Sequence, residues 1–138
     1  MCPACQQPLV AFELDGVEID RCVGCQGIWL DAGELEWIAH LARVPQGGLS
    51  QALLNARGER GGKRRCPRCR RQLRKVALDR PEALEIDRCP HGDGLWFDWG
   101  EMETLLAAYE GGETGAVSRF FRNFFGKGER PVPSTLRP

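Results

Sequence analysis

The chain has 138 residues, and nineteen basic residues balance nineteen acidic ones, so its formal net charge is zero. This balance excludes a uniformly basic nucleic-acid-binding protein, although it allows a local basic patch. No apolar run approaches the roughly 20 residues that a membrane-spanning helix needs, and the N-terminus lacks a secretory signal pattern. We therefore expect a cytoplasmic protein whose seven cysteines bind metal or carry redox chemistry instead of forming structural disulfides.

The cysteines fall into two blocks that belong to an internal repeat. The motif IDRC occurs at 19–22 and again at 86–89, and GIWLDAGE at 27–34 is matched by GLWFDWGE at 94–101. A CPxC motif opens each copy, at 2–5 and at 66–69. The sequence therefore predicts two related modules in tandem.

Each module is about forty residues long, which is too short to bury a sufficient apolar core without a staple. Paired thiolates separated by a short excursion suit a tetrahedral zinc ion, and structural zinc contributes on the order of 10–16 kcal/mol. In the first copy the excursion predicts a β-hairpin around Asp15-Gly16, and in the second a hairpin with a looser loop at 79–83. A helix should follow each hairpin, because Asp31 and Asp98 precede Glu34 and Glu101 at capping-box spacing.

Each copy resembles the bacterial zinc-finger family that is similar to the zinc ribbon of transcription initiation factor IIB. The resemblance covers residues 2–38 and 66–106 and is carried by CPxC, IDRC and GxWxDxGE. It implies a small metal-stabilised α+β fold, with two zinc ribbons made of CxxC knuckles and a β-hairpin, and a role in transcription. We expect a first ribbon and helix at 1–44, a flexible linker at 45–62 that can hold a short helix at 49–56, and a second ribbon and helix at 63–110. The remaining residues, 111–138, should hold a glycine hinge, an amphipathic helix and a disordered tail.

Two Zn²⁺ ions are predicted, one in each ribbon. In the second copy Gly92 stands opposite Cys25 and cannot bind metal, but His91 lies next to it. Asp93 is a competing oxygen ligand, and an open three-thiolate site or iron in place of zinc are further alternatives. Redox dithiols are disfavoured, because three CxxC pairs occur without a βαβ pattern. The predicted ligands are Cys2, Cys5, Cys22 and Cys25 in site one, and Cys66, Cys69, Cys89 and His91 in site two.

A basic run surrounds the second CxxC, with eight basic residues and no acidic one between Lys63 and Lys75. One interpretation is a phosphate-binding surface. The alternatives are compensation of the thiolate charge, a solvated surface, or docking of this basic copy on the acidic first copy. The candidate binding residues are Arg64, Arg65, Arg68, Arg70, Arg71 and Arg74, with Trp99 as a further contact.

The C-terminal helix would place Phe120, Phe121, Phe124 and Phe125 on one face. That face could pack on the ribbons or a second copy, enter a partner's groove, or lie on a membrane surface. We expect a non-enzymatic zinc-binding adaptor, related to transcription or nucleic-acid handling. The alternatives are a protein-interaction or assembly module without nucleic-acid contact and, further off, a metal-delivery protein or metalloenzyme with an incomplete second site.

Overall fold

The first half of the chain forms a three-stranded antiparallel unit followed by a helix. A computed structural model describes residues 1–78, 80–81, 84–111 and 115–125. Strands β1 (Leu9–Leu14) and β2 (Val17–Cys22) flank the Asp15-Gly16 turn, β3 (Ile28–Asp31) pairs with β2, and α1 (Glu34–Leu41) follows. Strand β3 was not predicted: its first three residues are all buried, so it shows no alternation of apolar and polar residues.

Residues 45–62, which we expected to form a flexible linker with a short helix at 49–56, contain that helix and also a strand. Helix α2 spans Gln46–Asn55, and β4 (Arg57–Arg65) begins two residues later. Leu49 of α2 is buried in the main core, and β4 forms an edge of the sheet. The glycines of this segment suggested flexibility, but burial of the apolar side of α2 and pairing of β4 hold it in place.

The second half repeats the first. Strands β5 (Gln72–Ala77), β6 (Glu85–Arg88) and β7 (Gly94–Phe97) form an antiparallel unit, and α3 (Glu101–Ala108) follows. The second helix of each half comes next: α4 (Ala116–Phe125) follows α3 as α2 follows α1. The two halves therefore share one order of strands and helices.

The two halves share one seven-stranded sheet in the order β1-β2-β3-β7-β6-β5-β4. Its centre is the antiparallel pair of β3 and β7, in which Trp29 lies opposite Trp96 and Ile28 opposite Phe97. Trp29 and Trp96 occupy equivalent positions in their repeats and face each other in antiparallel strands, so an approximate two-fold axis relates the halves and passes close to this pair. The two ribbons are therefore not separate domains, because backbone hydrogen bonds between β3 and β7 join them in one sheet.

The helices cover one face of the sheet. Their side of the sheet carries the larger core, which includes Ile19, Leu30, Ile86 and Phe97. The opposite face holds a smaller cluster of cysteines with Trp29, Trp96 and Leu73. In the described residues no helix combines the length and apolar composition needed to cross a bilayer.

Helix α4 contributes to the larger core through Val117 and Phe120, which are buried. Phe121 is half-buried and packs against the same core. The side chains of Phe124 and Phe125, the glycine segment at 112–114 and the predicted tail at 126–138 lie outside the described residues.

The starts of α1 and α3 use only half of the predicted capping box. The backbone N–H of Asp31 donates to Glu34 Oε1 at 2.7 Å, and that of Asp98 donates to Glu101 Oε1 at 2.8 Å. Neither aspartate side chain caps its helix, since α1 begins after Gly33 and α3 after Gly100. The two carboxylates are instead engaged by side chains near the cysteine clusters.

Candidate metal centres

Site one contains the four predicted cysteines. The Sγ atoms of Cys2, Cys5, Cys22 and Cys25 all lie within 4.8 Å of one another. The Sγ atoms of Cys2 and Cys25 are 3.8 Å apart, and those of Cys5 and Cys22 are 3.3 Å apart. A tetrahedral zinc ion with Zn–S bonds of about 2.3 Å separates its sulfur ligands by about 3.8 Å. The cluster therefore fits a four-thiolate zinc site.

Site two contains Cys66, Cys69, Cys89 and Asp93, whose ligand atoms also lie within 4.8 Å of one another. Asp93 Oδ2 is 3.5 Å from the sulfur of Cys66 and 3.5 Å from that of Cys89. Tetrahedral zinc with one oxygen and three sulfur ligands requires S···O separations of about 3.5 Å. Both centres therefore fit zinc, and the second does so with three thiolates and a carboxylate.

The placement of His91 differs from our prediction. Its side chain is exposed and does not belong to the ligand group, whereas its backbone N–H donates to the sulfur of Cys89 at 3.3 Å. In the second knuckle of the first ribbon Gly24 has the same role, since its N–H donates to the sulfur of Cys22 at 3.3 Å. A residue two positions after the cysteine thus turns its amide towards the thiolate. Asp93, two residues further along, reaches the metal position from the end of the turn.

Burial and backbone N–H donors shift the pKa values of the cysteine thiols in opposite directions. Burial raises the pKa of Cys66 to about 12 and also raises the pKa of Cys2, although two backbone N–H groups donate to each sulfur and oppose this rise. In Cys22, burial also favours the neutral thiol, but the Cys25 amide and the Cys5 side chain outweigh it and lower the pKa to about 7. Four crowded anionic ligands require a cation among them, which zinc supplies.

Two arginines link the metal centres to the aspartates beside the central tryptophans. Arg68 lies in the first knuckle of the second ribbon and bonds to Asp31 at 2.8 Å and Asp20 at 2.5 Å, both in the first half. The Arg68 guanidinium holds the pKa of Asp31 below its usual value. Asp31 also accepts a hydrogen bond from the indole N–H of Trp29 at 2.8 Å.

The second half has an equivalent arrangement with a different source for its arginine. Arg64, from the end of β4, bonds to Asp87 and Asp98 at 2.9 Å. Asp98 accepts the indole N–H of Trp96 at 3.0 Å, as Asp31 does from Trp29. The hydrogen bonds of Asp31 and Asp98 to the two indoles were not predicted, although the recurrence of Asp20 and Asp31 in the repeat as Asp87 and Asp98 carried a signal.

The basic run therefore divides into an inward and an outward set. Arg64, Arg68 and Lys75 form ion pairs with aspartates of the sheet. Of these three residues, Arg68 contacts the first half, as in the alternative in which the basic copy docks on the acidic first copy. The outward set is exposed and, among the described residues, forms no ion pair with a carboxylate; it comprises Lys63, Arg65, Arg70 and Arg71.

The remaining candidate residues lie away from the metal centres. Arg74 is exposed on β5 and pairs in register with Arg88 on β6. Trp99 is half-buried and, with Phe121, lines a small cavity beside α3. Phe120 is buried in the larger core and contacts Phe121 edge to face. The structure therefore does not bring these aromatic residues together with the outward basic set.

Comparison with known proteins agrees with the repeat and with the two metal centres. A family described as transcription factor zinc-finger, the zinc ribbon of the TFIIB type, matches residues 1–40 and again residues 65–108. No curated protein and no solved structure matches the chain. The two matched stretches contain the cysteines of both centres and together span more than half of the sequence. The chain thus belongs to the transcription factor zinc-finger family and carries two copies of its zinc ribbon.

Proposed function

We propose that the chain is a non-enzymatic, zinc-binding recognition protein that binds nucleic-acid phosphates between its two metal centres. The observation that supports this proposal is a groove of about 380 Å³, which we call the knuckle groove. The first knuckles of both ribbons line it, and three members of the outward basic set face it. The residues used in this argument are Cys2, Gln6, Cys66, Lys63, Arg65 and Arg70.

The charge of these residues favours a phosphate ligand. Arg64 and Arg68 are held by aspartates, so they are not available to a partner without the loss of two ion pairs each. Lys63, Arg65 and Arg70 remain exposed at the groove, and Arg65 is further positioned by donating to the carbonyl of Arg70 at 3.1 Å. Guanidinium and ammonium groups at such positions bind phosphate oxygens and release counterions.

The family description supports placing this nucleic acid in transcription. The proposal includes the cytoplasm as the place of action, because all seven cysteines belong to the two metal centres and zinc ligation requires them to stay reduced. The alternative of a protein-interaction module without nucleic-acid contact predicts that the outward basic set does not bind phosphate.

The test is fluorescence anisotropy with labelled single- and double-stranded DNA and RNA, using the zinc-loaded protein at several salt concentrations. Three phosphate contacts on duplex DNA give a slope of log K against log salt of about −2.7. The double substitution Arg65→Gln/Arg70→Gln should make this slope shallower by about 2. Arg43→Gln/Arg122→Gln removes the same charge at exposed positions away from the groove and is the matched control.

Equal loss of binding in both double variants would mean that net charge, and not the knuckle groove, carries the interaction. Absence of binding at low salt would overturn the nucleic-acid proposal and favour the protein-interaction alternative.

A further inference from the structure

The approximate two-fold symmetry creates two equivalent depressions between helices and sheet. The first lies between α1, α2 and strands β3 and β7, and it has a volume of about 420 Å³. We call it the α1–α2 groove, and its apolar lining is Leu30, Ala32, Leu35, Leu53, Leu54 and Leu95. The second lies beside α3 and α4 and has a volume of about 60 Å³.

Most of the lining of the two depressions corresponds position by position. Phe97 takes the place of Leu30, Met102 that of Leu35, and Ile28 that of Leu95. Arg88 lines the first depression and its repeat equivalent Arg21 lines the second. The difference in volume therefore does not come from a different arrangement of strands and helices.

The difference comes from aromatic side chains. Trp99 lines the small cavity at the position where the α1–α2 groove has Ala32. Phe121 of α4 also lines the small cavity, whereas α2 contributes the aliphatic Leu53 and Leu54 to the groove. In the second half the chain fills this depression with its own aromatic rings, and in the first half it does not.

The rim of the α1–α2 groove also carries an exposed apolar residue. Leu54 is 80% exposed, the most exposed of the large hydrophobic residues in the described chain. It continues the apolar part of the groove lining, which is mainly leucine, so covering the two together would remove a continuous apolar surface from water.

From this comparison we infer that the α1–α2 groove is a docking site for an aromatic side chain, tryptophan or phenylalanine, presented by a partner protein. The occupant is defined by the second half of the molecule, which closes the equivalent depression with an indole and a phenyl ring. Nucleic acid is a poor occupant, because Arg88 is the one basic residue in the described lining and its Nη1 donates to the carbonyl of Leu53 at 3.1 Å. Glu36 at the rim further disfavours phosphate.

The site is tested with N-acetyl-L-tryptophanamide as the probe, titrated into the zinc-loaded full chain and followed by ¹H–¹⁵N NMR. We expect saturable shifts at the amides of Leu30, Leu53 and Leu54, with a dissociation constant on the order of 1 mM. N-acetyl-glycinamide has the same backbone without the ring and should cause no such shifts. Absence of shifts at these amides with the tryptophan probe overturns the proposal.

Two substitutions exchange the residue that distinguishes the two depressions, which is Ala32 in the first half and Trp99 in the second. Ala32→Trp introduces into the first half the residue that the second half has, and it should weaken binding of the probe at least tenfold. Trp99→Ala should open the equivalent cavity and add a second set of shifts near Phe97 and Met102. Probe binding that is unchanged in Ala32→Trp would show that the α1–α2 groove is not the site.

Leu54→Lys provides a variant that does not disturb the core, because Leu54 is exposed, and it should also weaken probe binding.

The same experiments distinguish two other occupants of the α1–α2 groove. Self-association that Ala32→Trp abolishes would identify a second copy of the chain, and probe binding that requires deletion of 126–138 would identify the chain's own C-terminal segment. Either result would overturn the assignment to a partner protein. Nucleic-acid binding should persist in Ala32→Trp, so the two proposals fail independently.

Discussion

Gly27 lies directly against the indole of Trp96 across the centre of the sheet. A Cβ at position 27 would come within 2.7 Å of Cη2 of Trp96 and still closer to Cζ2. The relationship is reciprocal, because a Cβ at Gly94 would lie 2.8 Å from Cζ2 of Trp29. Each half therefore supplies a fully buried indole and the glycine that accommodates the indole of the other half.

Substitution of this glycine should destabilise the whole sheet. We expect Gly27→Ala to lower the free energy of unfolding by about 2–3 kcal/mol, because the buried ring of Trp96 has no room to move. Gly47→Ala is the matched control, since nothing lies within 4 Å of a Cβ there and the residue is helical. That control should gain roughly 0.5–1 kcal/mol. Denaturant unfolding of the zinc-loaded proteins measures both changes, and equal stabilities would contradict the close approach.

The ligand set of site two can be separated by two neighbouring substitutions. Asp93→Ala should weaken binding of one of the two zinc ions by ~10-fold or more, because it removes the carboxylate that completes the tetrahedron. His91→Ala should retain two zinc ions of unchanged affinity, because its exposed ring lies outside the ligand group and its backbone amide remains. Competition with a chromophoric chelator measures both. Loss of zinc from His91→Ala alone would restore histidine as the ligand.

The two arginine bridges should differ in their effect on stability. Arg68→Gln removes ion pairs whose partners are partly exposed, so we expect a loss of about 1 kcal/mol. Arg64→Gln removes a partner of Asp87, a carboxylate with 2% exposure, and should cost about 2–3 kcal/mol. Lys75 continues to pair with Asp87 and limits the loss. Thermal or denaturant unfolding gives the order, and a larger loss in Arg68→Gln would contradict it.

The pH dependence of the unfolding free energy should reveal the raised pKa of Glu101. Burial raises its pKa to about 7 from an ordinary 4.5, despite the hydrogen bond from the Asp98 amide. Between these two values the folded chain holds a proton that the unfolded chain has released, so stability falls as the pH rises and stays lower above pH 7. Glu101→Gln keeps an acceptor for the amide and carries no charge.

The measurement is the difference in unfolding free energy between wild type and Glu101→Gln, taken at pH about 5 and at pH about 8. Protonation of the metal ligands affects both proteins and cancels in this difference. Relative to the variant, the wild type should be less stable at the higher pH. A difference that is independent of pH would show that Glu101 does not retain its proton in the folded chain.

The knuckles and the first hairpin could be predicted because the residues that specify them lie close together in the sequence. Regular cysteine spacing and the Asp15-Gly16 turn indicated the knuckles and the first hairpin. The third strand of each half was missed, since runs such as Ile28–Leu30 are short and fully apolar and do not alternate. Without those strands the pairing of β3 with β7 could not be foreseen, because it depends on residues that lie far apart in the sequence.

The fourth ligand of site two shows a different limit. The sequence offers His91 and Asp93 two residues apart, and His91 was chosen because it completes, with the seven cysteines, eight ligands for two closed zinc sites. The geometry of the turn decides otherwise, since the residue at position 91 presents its amide to the sulfur of Cys89. Predicting the fourth ligand therefore requires, besides the residue type, the direction in which the backbone of the knuckle points each side chain.

Joining both halves in one chain allows them to differ. A two-fold assembly of identical chains carries every surface twice, and each substitution appears in both halves. Here Asp93 stands in one centre while Cys25 stands in the other, and the basic residues of 63–75 belong to one side alone. A surface formed by these unique residues occurs once for each molecule, so each partner should bind with a stoichiometry of one to one.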